Sequence, residues 1–362
     1  MAYQLCEKMR ELVPYDPIEG EYRIRLDANE SYFLPDEALK KELAAAAAAV
    51  AFNRYPDPYA SELCRAFAEL YGVPVSAVTA GNGSDELISL ICGSLLQKGE
   101  RILTFAPDFS MYRFYGEIFE DWVDVLQKEP DLSVDVDQVI RFVRENGVRA
   151  VIFSNPCNPT GQGMSKKAVR KLVSSVDALV VLDEAYMDFW DQSLLSEVLD
   201  YDNLIILKTC SKAIGMAAVR VGFAVAGPVL TRALQAAKSP YNVNSVSQAM
   251  GACILKKREL LEHCRKALIQ SAQELQSSIA DLAKQFPVLE EVYPTHTNFV
   301  FLRSEKSREI YKALLDRSIA VRCFGGYLRI TTGSPEENRA FLEGFCDILK
   351  EMGGEDLCGL LK

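Results

Sequence analysis

The sequence predicts an α/β protein in which a large domain, built on a mostly parallel sheet covered by helices, is joined to a smaller α+β domain. Three observations lead there. Short apolar runs alternate with amphipathic segments through the middle of the chain, and the pattern changes after about Pro240. The 362 residues also exceed what one core normally organises, so two domains are the default.

The elements follow in order. Residues 1–45 are expected to pack with the small domain, 46–240 to form the large domain, and 241–362 to form the small one. Within 35–52, the alanines at 44–49 have high helix propensity, and the helix ends before Asn53. Strands are expected at 101–105, 150–154, 179–182, 204–207 and 221–226. Each is short and apolar on both faces, the pattern of a parallel sheet buried under helices. The amphipathic segments 132–146 and 165–176 supply covering helices. Beyond Pro240, residues 245–285 contain no proline and read as one long helical stretch. Strand signals at 298–302, 320–323 and 327–331 and a final helix over 335–352 complete the small domain.

Composition excludes several classes of function. With 49% hydrophobic and 25% charged residues and no apolar run of 18, the chain reads as soluble and globular, without a membrane partner. The stretch from Met1 to Tyr22 is mixed and acidic, unlike a secretory signal, so a cytoplasmic location is expected. A net charge of −10 with no basic cluster argues against nucleic-acid binding. The ten cysteines form no C-x-x-C pair and only two histidines are present, which fits reduced thiols and gives no metal site. Cys157 and Cys210 read as small packing residues.

Lys212 is the candidate reactive group. An apolar run ends at about Lys208, and Ser211, Lys212 and Arg220 follow in a small, polar stretch. A lysine at the end of a buried strand is desolvated, which lowers its pKa and makes it a nucleophile. A hydroxyl and a guanidinium beside it suit a phosphate dianion, and lysine plus a phosphate cradle is what covalently held pyridoxal phosphate requires. A surface lysine in a turn is the plain alternative.

Four further motifs fall at strand ends, where open α/β sheets place ligands. Ala80-Gly-Asn-Gly-Ser-Asp-Glu86 is a Gly-rich turn entering a helix, whose free amides suit phosphate. It matches neither a dinucleotide fingerprint nor a P-loop. Ser154-Asn-Pro-Cys-Asn158-Pro-Thr-Gly161 doubles the Asn-Pro step, which forces an extended, turning path. Val180-Val-Leu-Asp183-Glu-Ala-Tyr186 ends an apolar strand on an aspartate able to pair with a protonated ring nitrogen, with a tyrosine in reach of a ring oxygen. The same pattern describes the magnesium-binding strand of P-loop nucleotidases, but no Gly-Lys-Ser/Thr partner motif is present. In Pro107-Asp-Phe-Ser-Met-Tyr112, the tyrosine can stack on a flat cofactor or fill a core.

Together these residues resemble the fold-type-I pyridoxal-phosphate aminotransferases, the aspartate-aminotransferase superfamily, with motif order kept over most of the chain. The resemblance implies that Lys212 carries the cofactor covalently and shuttles a proton. It implies that Asp183 pairs with the pyridine nitrogen, Asn158 and Tyr186 bind the ring oxygen, and Tyr112 stacks on the ring. Ser211, Arg220 and the Gly83, Ser84 and Asp85 amides would hold the phosphate. Within the superfamily, Leu26-Asp-Ala-Asn29-Glu-Ser31, Arg54-Tyr55-Pro-Asp-Pro58 and Tyr327-Leu-Arg329-Ile-Thr-Thr-Gly333 resemble segments of the histidinol-phosphate aminotransferases. That likeness implies amino transfer between histidinol phosphate and 2-oxoglutarate, with Arg329, Arg322 and Asn29 on the substrate side. It also implies a homodimer with shared active sites, because the tyrosine matching Tyr55 reaches the neighbouring subunit's cofactor phosphate. Lys208 and Ala218 stand where the family usually has arginine and glycine, and Ser31 to Pro35 lacks its Asn-Pro-Tyr-Gly continuation. An aromatic-amino-acid aminotransferase and a decarboxylase of the threonine-phosphate type share the scaffold and remain alternatives.

Overall fold

The computed structural model describes residues 3–12 and 18–352. Its largest sheet has seven strands: β1 (Val78–Gly81), β2 (Arg101–Ala106), β3 (Trp122–Gln127), β4 (Val148–Ser154), β5 (Leu179–Asp183), β6 (Leu204–Thr209) and β7 (Gly222–Ala226). Their spatial order is β1-β7-β6-β5-β4-β2-β3, and within this sheet only β7 runs against its neighbours. The strands alternate between two cores. Val151 and Phe153 of β4 face a core with Val139, Val169 and Val180, while Ala150 and Ile152 face one with Leu87, Ile91 and Ile205. Burial on both sides explains why these strands read as continuous apolar runs.

Two strands of this sheet escaped the sequence reading. β1 is four residues long, too short to show a period. β3 is the sheet's half-exposed edge and carries Asp124 in its middle. Arg101 of β2 donates two hydrogen bonds to that carboxylate, at 2.9 and 3.0 Å. The charge that hides the strand in the sequence therefore helps to pin it to its neighbour.

Covering helices start at identifiable caps. The Asp135 carboxylate accepts from the Asp137 and Gln138 amides to open Val136–Asn146, and Gly147 closes that helix with φ of 63°. Ser165 accepts from the Ala168 amide to open Lys166–Ser175. Because β2, β4, β5 and β6 run in parallel, the loops that follow them open along one edge. The antiparallel β7 starts on that same edge, so the segment before Gly222 joins the row.

A second core gathers Ile24, Leu26, Leu275, Ile279, Val300, Leu302, Ile330, Phe341 and Phe345. It lies on a four-stranded antiparallel sheet ordered 322–323, 327–331, 299–303 and 291–292. Ile24–Arg25 pairs in parallel with Ile319–Ala320, which draws the N-terminal segment into this unit. The final helix, Pro335–Glu351, opens with a capping box between Ser334 and Glu337.

The two cores do not separate at the boundaries expected from the sequence. Leu39 and Leu43 lie in the large-sheet core, not with the small unit, because Glu37–Ala48 packs on Ser245–Leu255. The stretch 245–285 is two helices, broken at Lys257 with φ −89° and ψ 56°. The first, Ser245–Leu255, also packs on Ser61–Tyr71 in the large core, and Arg258–Gln285 carries the chain across to the small one. One apolar stripe cannot face both cores without that change of direction.

Candidate active site

The sheet edge brings most of the predicted residues together. β6 ends at Thr209, and Lys212 follows three residues on, half-buried, its Nζ donating to the Ala28 carbonyl at 3.0 Å. The amine lies 5.8 Å from the centre of the Tyr186 ring. Burial, with the positive charges of Arg329 and Arg220, lowers its pKa to about 8. This is the direction a nucleophilic or proton-shuttling lysine needs.

Asp183 ends β5, buried at the centre of the row. Its Oδ2 accepts from the Tyr112 hydroxyl at 2.9 Å and its Oδ1 from the Ala185 amide at 3.0 Å. Burial pushes its pKa up to about 6, aided by the charges of Asp108 and Asp85 and opposed by those two hydrogen bonds. A carboxylate so desolvated gains from a cation brought against it. Tyr112 is wholly buried. In this chain its phenol is an anchor for Asp183, in addition to whatever face its ring offers a ligand.

Asn29, with φ of 55°, ties the N-terminal segment to the site. Its Nδ2 donates to the Tyr186 hydroxyl at 2.8 Å, while its own amide donates to Thr331 Oγ1 at 3.0 Å. The sequence reading put Asn29 on the substrate side, and the structure gives it the Tyr186 hydroxyl as partner. Burial pushes the Tyr186 phenol up to about 12, offset by Arg329 and by that hydrogen bond. Arg329, buried, donates through Nη1 to Asn158 Oδ1 and through Nη2 to the Asp27 carbonyl at 2.6 Å. The Phe299 and Phe324 rings each lie 5.4 Å from its guanidinium carbon. Arg322 sits directly opposite Arg329 across the strand pair, and so on the same face.

A cradle with two glycines in its floor forms where β1 and β7 meet. Helix Ser84–Ser94 starts after Gly83, whose φ of 86° and position leave no room for a side chain. A Cβ there would stand 2.7 Å from Arg220 Nη2, and one on Gly222 would stand 2.3 Å from the Ser84 amide nitrogen. Arg220, itself at φ 52°, places Nη1 3.3 Å from Ser211 Oγ. The half-buried Asp85 accepts through Oδ2 from the Tyr115 hydroxyl at 3.1 Å. Tyr55 is not brought into this cluster. It is 80% exposed and stacks on Tyr241, with ring centres 4.5 Å apart.

Residues 22–345 match the model of the aminotransferase class I and II family. The chain belongs to that family. It is therefore a pyridoxal-phosphate-dependent transaminase acting on small molecules, with an aspartate-aminotransferase-like fold. Among its relatives, the histidinol-phosphate aminotransferase of Clostridium novyi is 38% identical over 344 residues, covering 93% of this chain and 95% of that protein. The histidinol-phosphate aminotransferase of Clostridium kluyveri is 36% identical over 349 residues, covering 95% and 98%. A solved structure of histidinol-phosphate aminotransferase from Sinorhizobium meliloti, in complex with pyridoxal-5'-phosphate, superposes with a TM-score of 0.86. It is 21% identical and covers 97% of this chain and 99% of its own.

The residues of this aminotransferase fit that cofactor. The side-chain-free floor at Gly83 and Gly222, the helix start at Ser84, and the Ser211 and Arg220 side chains suit a phosphate dianion. The buried Asp183 suits a protonated pyridine nitrogen, and the lysine with lowered pKa suits an aldehyde. Sequence reasoning left three contributors without a role. The Asp27 and Ala28 carbonyls hold Arg329 and Lys212, and Ser154 accepts from the Asn158 amide at 3.1 Å. Backbone carbonyls carry no residue-type signal. Ser154 opens the doubled Asn-Pro motif but looks in the sequence like an ordinary turn serine.

Among the described residues, no helix is long and apolar enough to cross a membrane.

Proposed function

We propose that this aminotransferase moves the amino group between histidinol phosphate and 2-oxoglutarate in two half-reactions at one site. The observation that carries the reading is the pair of arginines, Arg329 and Arg322, facing the same way on adjacent strands, with Arg329 close enough for its charge to act on the Lys212 amine. Two guanidiniums suit a substrate phosphate in one half-reaction and the carboxylates of an acidic donor in the other. The relatives at 36% and 38% identity, both named histidinol-phosphate aminotransferase, support it.

Each side chain has a defined task. Arg329, braced by Asn158 and the Asp27 carbonyl, orients the substrate's anionic group. When bound, the cofactor supplies a conjugated ring that takes up the electron pair left on the substrate α-carbon. Asp183 keeps the proton on the ring nitrogen, while Asn158 and Tyr186 donate to the ring oxygen. Lys212 Nζ is a covalent anchor that, once released, takes the α-proton; its pKa near 8 leaves a usable uncharged fraction at neutral pH. Ser211, Arg220 and the Gly83, Ser84 and Asp85 amides hold the phosphate.

The reading includes a cytoplasmic homodimer, with the large-sheet unit binding cofactor and the small unit closing over substrate. In this reading Tyr55, exposed and stacked on Tyr241, serves the neighbouring subunit's cofactor phosphate. The test is a transamination panel of histidinol phosphate, phenylalanine and threonine phosphate with 2-oxoglutarate, run with sedimentation analysis. Preference for histidinol phosphate without release of carbon dioxide from a dimer is expected. Preference for phenylalanine, decarboxylation of threonine phosphate, or an active monomer would each remove part of the reading.

A further inference from the structure

The row of functional groups along the sheet edge continues past Asn158 onto two more strands. Asp108 follows β2, Lys128 follows β3, and Ser154 ends β4. The Lys128 and Asp108 side chains are 4% and 1% exposed, an ion pair sealed in the protein with Nζ 3.8 Å from Oδ2. Lys128 Nζ also donates to Cys157 Sγ at 2.8 Å. Asp108 Oδ1 accepts from its neighbour Phe109's amide at 2.7 Å and from the Ser154 hydroxyl. The Ser154 oxygen in turn accepts the Asn158 N–H at 3.1 Å, and Asn158 Oδ1 accepts from Arg329. A continuous chain therefore runs from a buried charge pair, through one hydroxyl, to the loop that carries Asn158 and on to Arg329.

Such a pair is costly as mere packing. Two buried charges lose hydration that their attraction only partly restores, and apolar residues of equal size often stabilise as well or better. Burial pushes the Asp108 carboxyl up from its ordinary value, and Lys128 and Ser154 oppose that. The thiol of Cys157 is itself pushed up by burial, so it meets Lys128 as a neutral sulfur acceptor. What the pair supplies is direction. Ionised Asp108 is acceptor-only, which obliges Ser154 to donate to it and turns the serine's lone pair toward the Asn158 amide.

We propose that Asp108, kept ionised by Lys128, is a positioning residue of the transamination, fixing the Asn158 loop through Ser154 and, through Asn158, the Arg329 guanidinium. This rests on the reading above, in which Asn158 meets the ring oxygen and Arg329 meets substrate. With Oδ1 turned to Arg329, the Asn158 side chain keeps its N–H groups for the ring oxygen.

The experiment follows the pH midpoint at which the absorbance of the lysine-linked cofactor changes, together with cofactor affinity of the apoprotein and KM for glutamate. A donor to the ring oxygen favours the form that has lost its proton, so Asn158→Ala should raise the midpoint by about half a unit or more. Asp108→Asn and Ser154→Ala should shift it the same way by less, and add little when combined with Asn158→Ala. Asp108→Asn should also raise KM for glutamate several-fold. The double variant Asp108→Asn/Lys128→Met removes both buried charges at nearly constant volume, so it should fold and keep the shifted midpoint. Wild-type midpoint, affinity and KM in Asp108→Asn, Ser154→Ala and the double variant, with Asn158→Ala displaced, would overturn the proposal. An unmoved midpoint in Asn158→Ala would instead overturn the ring-oxygen assignment, and this inference with it.

Discussion

At Lys212 the fold holds a group against its own proton affinity, and the resulting stability cost is measurable. The amine's pKa falls from 10.5 to about 8. At about 1.4 kcal/mol per unit, keeping Lys212 in place costs the cofactor-free protein on the order of 3 kcal/mol at neutral pH. Its hydrogen bond to the Ala28 carbonyl, 3.0 Å long, returns about 1 kcal/mol. Lys212→Met keeps the aliphatic stem and discards the amine, so the apoprotein should gain about 2 kcal/mol at pH 7 by this arithmetic. Between the folded and unfolded pKa values the unfolded chain binds more protons, so wild-type stability climbs with pH across that window. The advantage of Lys212→Met should therefore shrink as pH rises from about 8 toward about 10. Urea unfolding of both apoproteins, at equal protein concentration and at several pH values, measures this directly. A variant no more stable than wild type at pH 7, or an advantage independent of pH, would show that the amine is not desolvated as described. The same variant should have no transaminase turnover.

Three further outcomes are expected. Arg329→Ala removes a guanidinium braced by Asn158 and Asp27 and should raise KM for glutamate by roughly 10- to 100-fold, which initial-rate kinetics would register; unchanged glutamate kinetics would reject its role. Gly222→Ala would drive a Cβ to 2.3 Å from the Ser84 nitrogen, so the apoprotein should lose about 1–3 kcal/mol and bind cofactor weakly, as fluorescence titration would detect. Asp183, at about 6 against an ordinary 3.8, binds its proton more tightly folded than unfolded, so its contribution falls away as pH rises through that interval. Asp183→Asn should abolish that part of the apoprotein's stability slope, and an identical slope in the variant would contradict the burial argument.

Much of the site was legible because its residues sit where apolar strands stop. Asp183 and Lys212 follow the buried runs of β5 and β6, and a charged residue at such a place is conspicuous. Asn158 and Arg220 stand beside proline and glycine patterns that restrict the backbone. The Asp108–Lys128–Ser154 chain had no such signal. Its members lie 20 to 46 positions apart in sequence, each looks like an ordinary polar residue in a turn, and only β-sheet order makes β3, β2 and β4 neighbours. Tyr112 was legible as an aromatic at the site, but not as the hydrogen-bond partner of Asp183.

The sequence by itself determined the class of chemistry and the parallel sheet. Hydrophobic period and strand-end polar residues are local properties, written in consecutive positions. Tertiary structure decided where the cores divide, why the stretch 245–285 bends at Lys257, and which partner each polar side chain takes. Those outcomes depend on contacts between residues distant along the chain. Asn29 meeting Tyr186, or a lysine amine losing its water, exists only once the chain has closed around it.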